Sequence, residues 1–475
     1  MPPALPTGVL RGAELVRPLV LTTDVVVIGS GAGGASLASA VSRAGRQVIV
    51  LEEGEYHRAS DFNQREGDML PRLFQDGGGR QTTDGAVTIL SGRGAGGSTT
   101  HNTNLCKRAP APVLARWVAE HGLSGWSAEA LAPDYQAVEE ELHVTPMTAD
   151  EVNRNNAVLR RGVERLGWRG GLLAHNRRGC ARSGFCELGC SFNAKENALK
   201  VLVPSALSHG ARVLCDVRIE RVRHAKVGGQ ARAIGVLGAV RLPDGGRGVE
   251  VNIDARAVCL GGSAVGSAAL HLRSELPLSI HGGLWGGHLG GLRLHPGLAV
   301  AGRFDELIQG WQGIPQSYEC TEKLSFEPGA PDRSWIVTAF AHPGGFAALQ
   351  PGFGGALTAA LRDYPRLAVV AAMLHDETAG EVRVSRGGRP LLRYELNDDD
   401  ARALLRGAYA CGEILLAAGA KEVMVPLLTP LRARTVAELQ PLLAHRYRPL
   451  DPLLTAVHPM GTLPMGSDPR RSVVD

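Results

Sequence analysis

Residues 24–52 read DVVVIGSGAGGASLASAVSRAGRQVIVLE, and this stretch decides the fold. Asp24 to Ile28 is a short β-branched run of the kind that fills the middle of a parallel sheet, where both faces are covered. It runs directly into Gly29-Ser30-Gly31-Ala32-Gly33-Gly34. The residues behind the glycines are helix formers and end at Gly45, a suitable C-terminal cap. A second β run, Gln47 to Leu51, ends in Glu52. Strand, glycine turn, helix, strand and acid in this order form a dinucleotide-binding unit. Gly29 makes the sharp turn, Gly31 admits a pyrophosphate against bare backbone, and Gly34 lets helix and strand approach. Glu52, eighteen residues past Gly34, stands where a carboxylate accepts hydrogen bonds from the adenosine ribose. An isolated GxGxxG is also an ordinary tight turn; the flanking strands and the acid point to the nucleotide. The unit does not separate NAD from FAD.

Working outward, 475 residues with 44% hydrophobic content can bury a large core and suggest two interleaved domains. The net charge of +4 is dispersed, which gives no electrostatic reason to expect nucleic acid. The first twenty-odd residues have no long apolar core and no small-residue cleavage site, and no run reaches the length of a transmembrane segment. Eight cysteines are too few for a disulfide scaffold, and three of them crowd into one segment, which indicates a local purpose in a reducing cytoplasm.

Ser91 to Arg108, SGRGAGGSTTHNTNLCKR, resembles the loop that lies under the flavin in the glucose-methanol-choline (GMC) oxidoreductases, GxxxGGSSxxNxxxxxR. Gly96, Gly97, Ser98, Asn102 and Arg108 carry that resemblance. Adjacent glycines also make sense physically, because backbone amides can then reach a flavin or phosphate without side-chain obstruction. The resemblance implies FAD rather than NAD. His101 occupies the place where one branch of the family joins a histidine covalently to the flavin 8α-methyl carbon. Two readings stand for it: a tether, or an imidazole packed without a bond near the dimethylbenzene edge. Trp117, Gly122, Trp126, Tyr135 and Glu139 echo the helical stretch that follows this loop in the family, with Pro133 expected in a first helical turn.

Three further segments extend the resemblance. Ala211 to Val222 is similar to the strand whose backbone reads the adenine ring, with Ile219 at the contacting position. Ala257 to Ser274 is similar to the family's second signature through Gly261, Gly262 and Ser267, and by physics alone is a strand-to-helix crossover of a parallel sheet. The closing stretch, HPMGTLPMGSDPRRSVVD, resembles the segment whose HPxGT histidine sits beside the reactive edge of the flavin. That resemblance makes His458 the base that takes the hydroxyl proton of an alcohol while hydride leaves for flavin N5. His295 is also followed by proline and receives no role. In the family a second His or Asn follows further along. Nothing follows Asp475 in this sequence. Alternative expectations are therefore an impaired, truncated flavin-binding chain or half of a split enzyme, and, third, a hydroxynitrile lyase on the same scaffold.

Gly179 to Lys195 places Cys180, Cys186 and Cys190 at C-x5-C-x3-C. This spacing resembles the bacterial FAD-dependent glucose dehydrogenase branch, where three thiolates hold an iron-sulfur cluster. The long-chain alcohol oxidase branch has a similar segment without a cluster that the pattern demands, which leaves structural thiols or a disulfide as the other reading. Zinc lacks a clear fourth ligand nearby.

The resemblance spans nearly the whole chain and implies an α/β fold. A Rossmann-like FAD-binding domain with a parallel sheet takes 20–110, 178–290 and 455–475, and an α+β substrate domain on an antiparallel sheet takes 291–454, with a helical connection at 111–177. Arg383 to Leu396 reads as a hairpin around Gly387-Gly388, and Asp398 as the N-cap of a helix closed by Gly419. Pro343 to Ala360 reads as either an apolar lid or an ordinary loop and helix. The implied activity is FAD-dependent oxidation of the CH–OH group of a small-molecule alcohol to an aldehyde or ketone. Oxygen, a quinone or a cytochrome is the electron acceptor, and the expected location is the cytoplasm, with peripheral membrane attachment left open.

Overall fold

The computed structural model describes residues 5–276, 289–350, 352–469 and 471–474. The β-branched run at 24–28 lies at the heart of a seven-stranded sheet, ordered Val9–Arg11, Arg212–Cys215, Val48–Leu51, Leu19–Ile28, Arg247–Leu260, Gln230–Arg241, Val217–Val227. The first five strands run parallel, with Ile28 paired to Leu51 on one side and to Leu260 on the other. The last two form an antiparallel meander. Every residue of Val48–Leu51 is buried, as a central parallel strand covered on both faces requires. Helix Ala32–Arg43 covers one face, and its small residues Ala35 and Ala38 pack with Leu202, Val203 and Ala206 of helix Leu202–Ser208.

The second body is an antiparallel sheet around strand Gly297–Arg303, which pairs with Leu367–Leu374 and Glu422–Val425. Ser334–Thr338, Tyr318–Cys320 and Gly170–Leu172 continue it to one edge, and Leu431–Ala433 forms the other. Helices Arg154–Leu166 and Asp398–Ala417 share one apolar cluster with it, built from Val158, Leu159, Leu404, Ala408, Ile414 and Val370. The helices meet at Gly162, where a Cβ would lie 2.2 Å from the Ile414 carbonyl oxygen.

Chain order and layer membership part company here. Strand Val87–Ile89 and strand Leu454–Ala456 pair with each other in parallel and lie in the antiparallel body, although both neighbour dinucleotide-type segments in sequence. The helix and strand at 154–166 and 170–172 belong to the same body.

Two local expectations are corrected. Helix Asp398–Ala417 is capped by Asn397, whose Oδ1 accepts the Asp400 amide at 2.8 Å, so Asp398 is already the first helical residue. Asp400 is then free to turn inward, where it pairs with the buried Arg333 and accepts the Thr378 amide at 2.7 Å. Pro133 sits inside helix Ala128–Glu141 rather than in its first turn, because Ser127 caps that helix by accepting the Ala130 amide at 3.2 Å. The hairpin at 380–393 pairs Gly380–Val384 with Pro390–Arg393 and turns through Gly388 at φ +73°. In 343–360 the helices Pro343–Leu349 and Gly355–Asp363 leave Leu349 71% and Phe353 90% exposed, while the amides of Gly344 and Gly345 donate to Glu66. Among the described residues no helix is long and apolar enough to cross a membrane.

Candidate active site

Four glycine-bearing turns converge at the carboxyl ends of the parallel strands. Gly29, at φ +96°, would carry a Cβ 2.5 Å from the Gly261 carbonyl oxygen, and a Cβ on Gly34 would stand 2.0 Å from the Gly29 oxygen. Gly31 is the N-cap of helix Ala32–Arg43 and has no side chain to close it, so the first-turn amides of Ala32, Gly33 and Gly34 have no side-chain cap. Such a helix start is an anion site of the kind a pyrophosphate occupies. The glycine loop faces it: a Cβ on Gly97 would lie 2.8 Å from the Gly31 Cα.

Glu52 fastens these turns together. One oxygen accepts the Ser30 amide at 3.1 Å and the Ser30 hydroxyl at 2.6 Å, and the other accepts the amides of Gly54 at 3.0 Å and Gly94 at 3.1 Å. Burial raises its pKa while these donors oppose the rise. Four donors aimed at two oxygens suit the ionised form. The lone-pair directions are thus committed to protein donors, and a ribose hydroxyl joins only by displacing one of them. Ile219 is similarly engaged: its carbonyl accepts Arg273 Nη2 at 3.2 Å.

Within the loop, Ser98 Oγ accepts the Gly92 amide at 2.8 Å, and Asn102 Oδ1 accepts the Asn104 amide at 3.2 Å. His101 is buried against Phe74, with ring centroids 4.0 Å apart, and its Nε2 is enclosed without a hydrogen-bond partner. Burial, with the Lys195 ammonium nearby, pushes its pKa down to about 3, so the ring is neutral. Lys195 escaped sequence reasoning. A lysine in a Gly- and Cys-rich segment reads as surface, yet it is 2% exposed and donates to the carbonyls of Thr100 at 3.1 Å, Asn102 at 2.5 Å and Cys186 at 3.1 Å.

The cysteine segment brings three thiols near one another. Among the described residues no group of three or more His, Cys, Asp or Glu side chains is arranged to hold a metal ion. Burial pushes the Cys186 thiol up to about 12, and Cys180 and Cys190 lie near enough to add to the rise. All eight cysteines are free, so Cys180, Cys186 and Cys190 stand as thiols rather than as a disulfide.

His458 lies two residues beyond Ala456, which pairs in parallel with Ile89. The glycine loop follows Ile89, so both leave the same end of one strand pair. Arg293 and Met460 exchange backbone hydrogen bonds at 3.0 and 2.8 Å, and continuing that antiparallel register by two residues sets His295 opposite His458. The Nδ1 atoms of the two rings are 2.9 Å apart, and the rings stack at 27° with centroids 5.1 Å apart. Gly461, at φ +81°, is the residue that permits this pairing, since a Cβ there would come within 2.0 Å of the Gly291 oxygen. His458 keeps an exposed surface, yet its neighbours withdraw enough water to lower its pKa below the ordinary value. His295 was visible in sequence only as a second His-Pro pair.

The GMC oxidoreductase family models match residues 70–295 and 376–475. A GMC-type oxidoreductase of Mycobacterium tuberculosis, itself uncharacterised, is 34% identical over 464 residues, covering 96% of this chain and 70% of the relative. A long-chain-alcohol oxidase of Arabidopsis thaliana is 29% identical over 84% of this chain and 53% of its own length. Among solved structures, pyridoxine 4-oxidase from Mesorbium loti superposes with a TM-score of 0.70 at 17% identity, covering 95% of this chain and 91% of that one. The Aspergillus oryzae formate oxidase does so at 0.67 and 14%, covering 96% and 91%. The folds are therefore shared with a Rossmann-like flavoenzyme architecture, and the two family matches together with the mycobacterial relative place this chain in the GMC oxidoreductase family.

Proposed function

We propose that the protein is an FAD-dependent oxidoreductase that oxidises the CH–OH group of a small-molecule alcohol to an aldehyde or ketone. The observation that carries the reading is the shared exit of the His458 segment and the glycine loop from the parallel pair Leu454–Ala456 and Val87–Ile89. The glycine loop that leaves this pair packs on the Gly31 turn of the parallel sheet, at the strand ends where ligands of α/β folds collect. The uncapped amides at Ala32 to Gly34 would hold the pyrophosphate, and Gly96 and Gly97 present backbone rather than side chains to the ring system. Bound there, FAD supplies a two-electron acceptor for the hydride that leaves the alcohol carbon. His458 takes the hydroxyl proton, and its lowered pKa keeps it neutral and ready to do so at neutral pH. The enclosed, partnerless Nε2 of His101 supports a covalent tether to the cofactor. Candidate electron acceptors are oxygen, a quinone or a cytochrome.

The test is anaerobic: primary and secondary alcohols are added to the flavin-loaded protein and bleaching of the flavin bands is followed. Reduction that falls on the order of 10²-fold or more in His458→Ala supports the reading. Undiminished reduction in that variant removes His458 as the base. Acid precipitation addresses the tether, since a bonded flavin stays with the denatured chain and a free one colours the supernatant.

A further inference from the structure

His295 is left over by the roles above, yet it is among the most constrained residues near the site. It holds a positive φ of +50°, a strained conformation for a non-glycine residue. Its amide donates to Asp376 Oδ1 at 3.2 Å, and the Leu294 amide donates to Oδ2 at 3.0 Å. The Tyr394 hydroxyl also donates to Oδ2, at 2.5 Å. The carboxylate of Asp376 is thus spent on the backbone that presents His295, not on its ring. The imidazole that results from this bracing meets His458 Nδ1 to Nδ1 at 2.9 Å.

Two neutral imidazoles facing each other in this way share one proton, and there are two ways to place it. If His295 donates, His458 carries its own proton on Nε2, and that nitrogen cannot take another from an alcohol. If His458 donates, its Nε2 keeps a free lone pair. We propose that His295 is a positioning residue that accepts the His458 Nδ1–H, so that the tautomer of His458 is the one whose Nε2 serves as the base. The proposal rests on the reading of His458 as that base.

The environment suits an acceptor. Burial, with His458 and His375 beside it, pushes His295 down to about 3, so it remains neutral as the site works. Once His458 has taken the alcohol proton, its Nδ1–H still points at His295 and the bond becomes charge-assisted without any reorganisation. A carboxylate in the same position would hold the tautomer too, but it would also raise the pKa of His458. A neutral acceptor fixes the orientation and leaves the base at its lowered pKa.

Neutron diffraction from deuterium-exchanged, flavin-loaded crystals reads the tautomers directly. The expected result is deuterium on Nδ1 of His458 and on Nε2 of His295, with none on Nε2 of His458. Deuterium on Nδ1 of His295 overturns the proposal, whether or not His458 is the base. Kinetics supply the second readout. His295→Ala removes the acceptor, while His295→Asn returns a side-chain oxygen near the same place and tolerates the positive φ. Flavin reduction by alcohol is expected to fall on the order of 10²-fold in His295→Ala, with flavin content retained, and to recover for the most part in His295→Asn. An equal loss in both variants, or no loss in either, is the contrary outcome. The base reading fails separately, through His458→Ala, and leaves the diffraction result intact.

Discussion

Lys195 carries a charge into a place where no side-chain acid bonds it, and three backbone carbonyls accept hydrogen bonds from its ammonium. Those carbonyls belong to the loop around His101 and to the cysteine segment, so one ammonium ties together two stretches that sequence alone leaves unconnected. Lys195→Met is expected to destabilise the protein by about 3 kcal/mol, because enclosed acceptors lose their donor at about 1–3 kcal/mol each while water recovers only some of them. Thermal unfolding measures this, and a variant as stable as the parent would show that the loop stands without the lysine. Gly97 tests the face-to-face packing of the turns. At φ +53° and with a Cβ position 2.8 Å from the Gly31 Cα, Gly97→Ala is expected to push the loop off the dinucleotide turn. The measured consequence is loss of bound flavin with an unchanged far-UV spectrum; normal flavin loading would contradict it.

At the scale of elements, glycines with similar backbone angles differ in what surrounds them. Gly419 closes helix Asp398–Ala417 at φ +102° with nothing near its Cβ position, whereas Gly461 has φ +81° and the Gly291 oxygen 2.0 Å away. Gly419→Ala should therefore cost only the backbone strain, about 1 kcal/mol. Gly461→Ala should cost more, about 3 kcal/mol, since it must also break the bridge between Arg293 and Met460. That bridge sets His295 against His458, so the same variant is expected to slow flavin reduction. Melting temperatures compare the two, and equal shifts would mean that the bridge gives way at no cost. Both glycines look alike in sequence. Strand Leu289–Leu292, distant along the chain, packs against Gly461 and not against Gly419, and that makes the difference.

Across the whole molecule, several histidines are buried as neutral rings. Burial holds His57 at about 4, His101 at about 3 and His175 at about 4. Each pKa lies below the unfolded value of about 6.5, so the unfolded chain binds more protons between these limits and stability falls as pH falls. The contribution is fully present above about pH 6.5, and each ring costs about 1.4 kcal/mol for every pH unit below it until the folded pKa is reached. Calorimetry is expected to show a nearly constant melting temperature between pH 7 and 8 (roughly the range above all these titrations) and a steep decline toward about pH 4. His175, whose Nε2 lies 2.5 Å from the Gln316 carbonyl oxygen, offers a check: His175→Gln should flatten that decline. An unchanged slope would assign the acid sensitivity to other groups.

The sequence by itself determined the dinucleotide end. A strand, a turn that only glycine can make and a helix closed at its far end by Gly45 are set by contacts within about thirty residues, and short-range steric rules suffice to read them. It also determined the family, because the glycine loop and the HPMGT segment keep residue types whose chemistry is tied to their spacing. The hairpin at 380–393 was legible for the same local reason, and the cap at Asn397 was missed by one residue because adjacent polar residues can each cap a helix. What only the tertiary structure decided lies between segments far apart in the chain. The four donors on Glu52, the burial of Lys195, the free state of the three thiols and the meeting of His295 with His458 each depend on which segments the two sheets bring together. Burial and pairing at long range are properties of the packed chain, and a local pattern cannot encode the partner that arrives from 163 residues away.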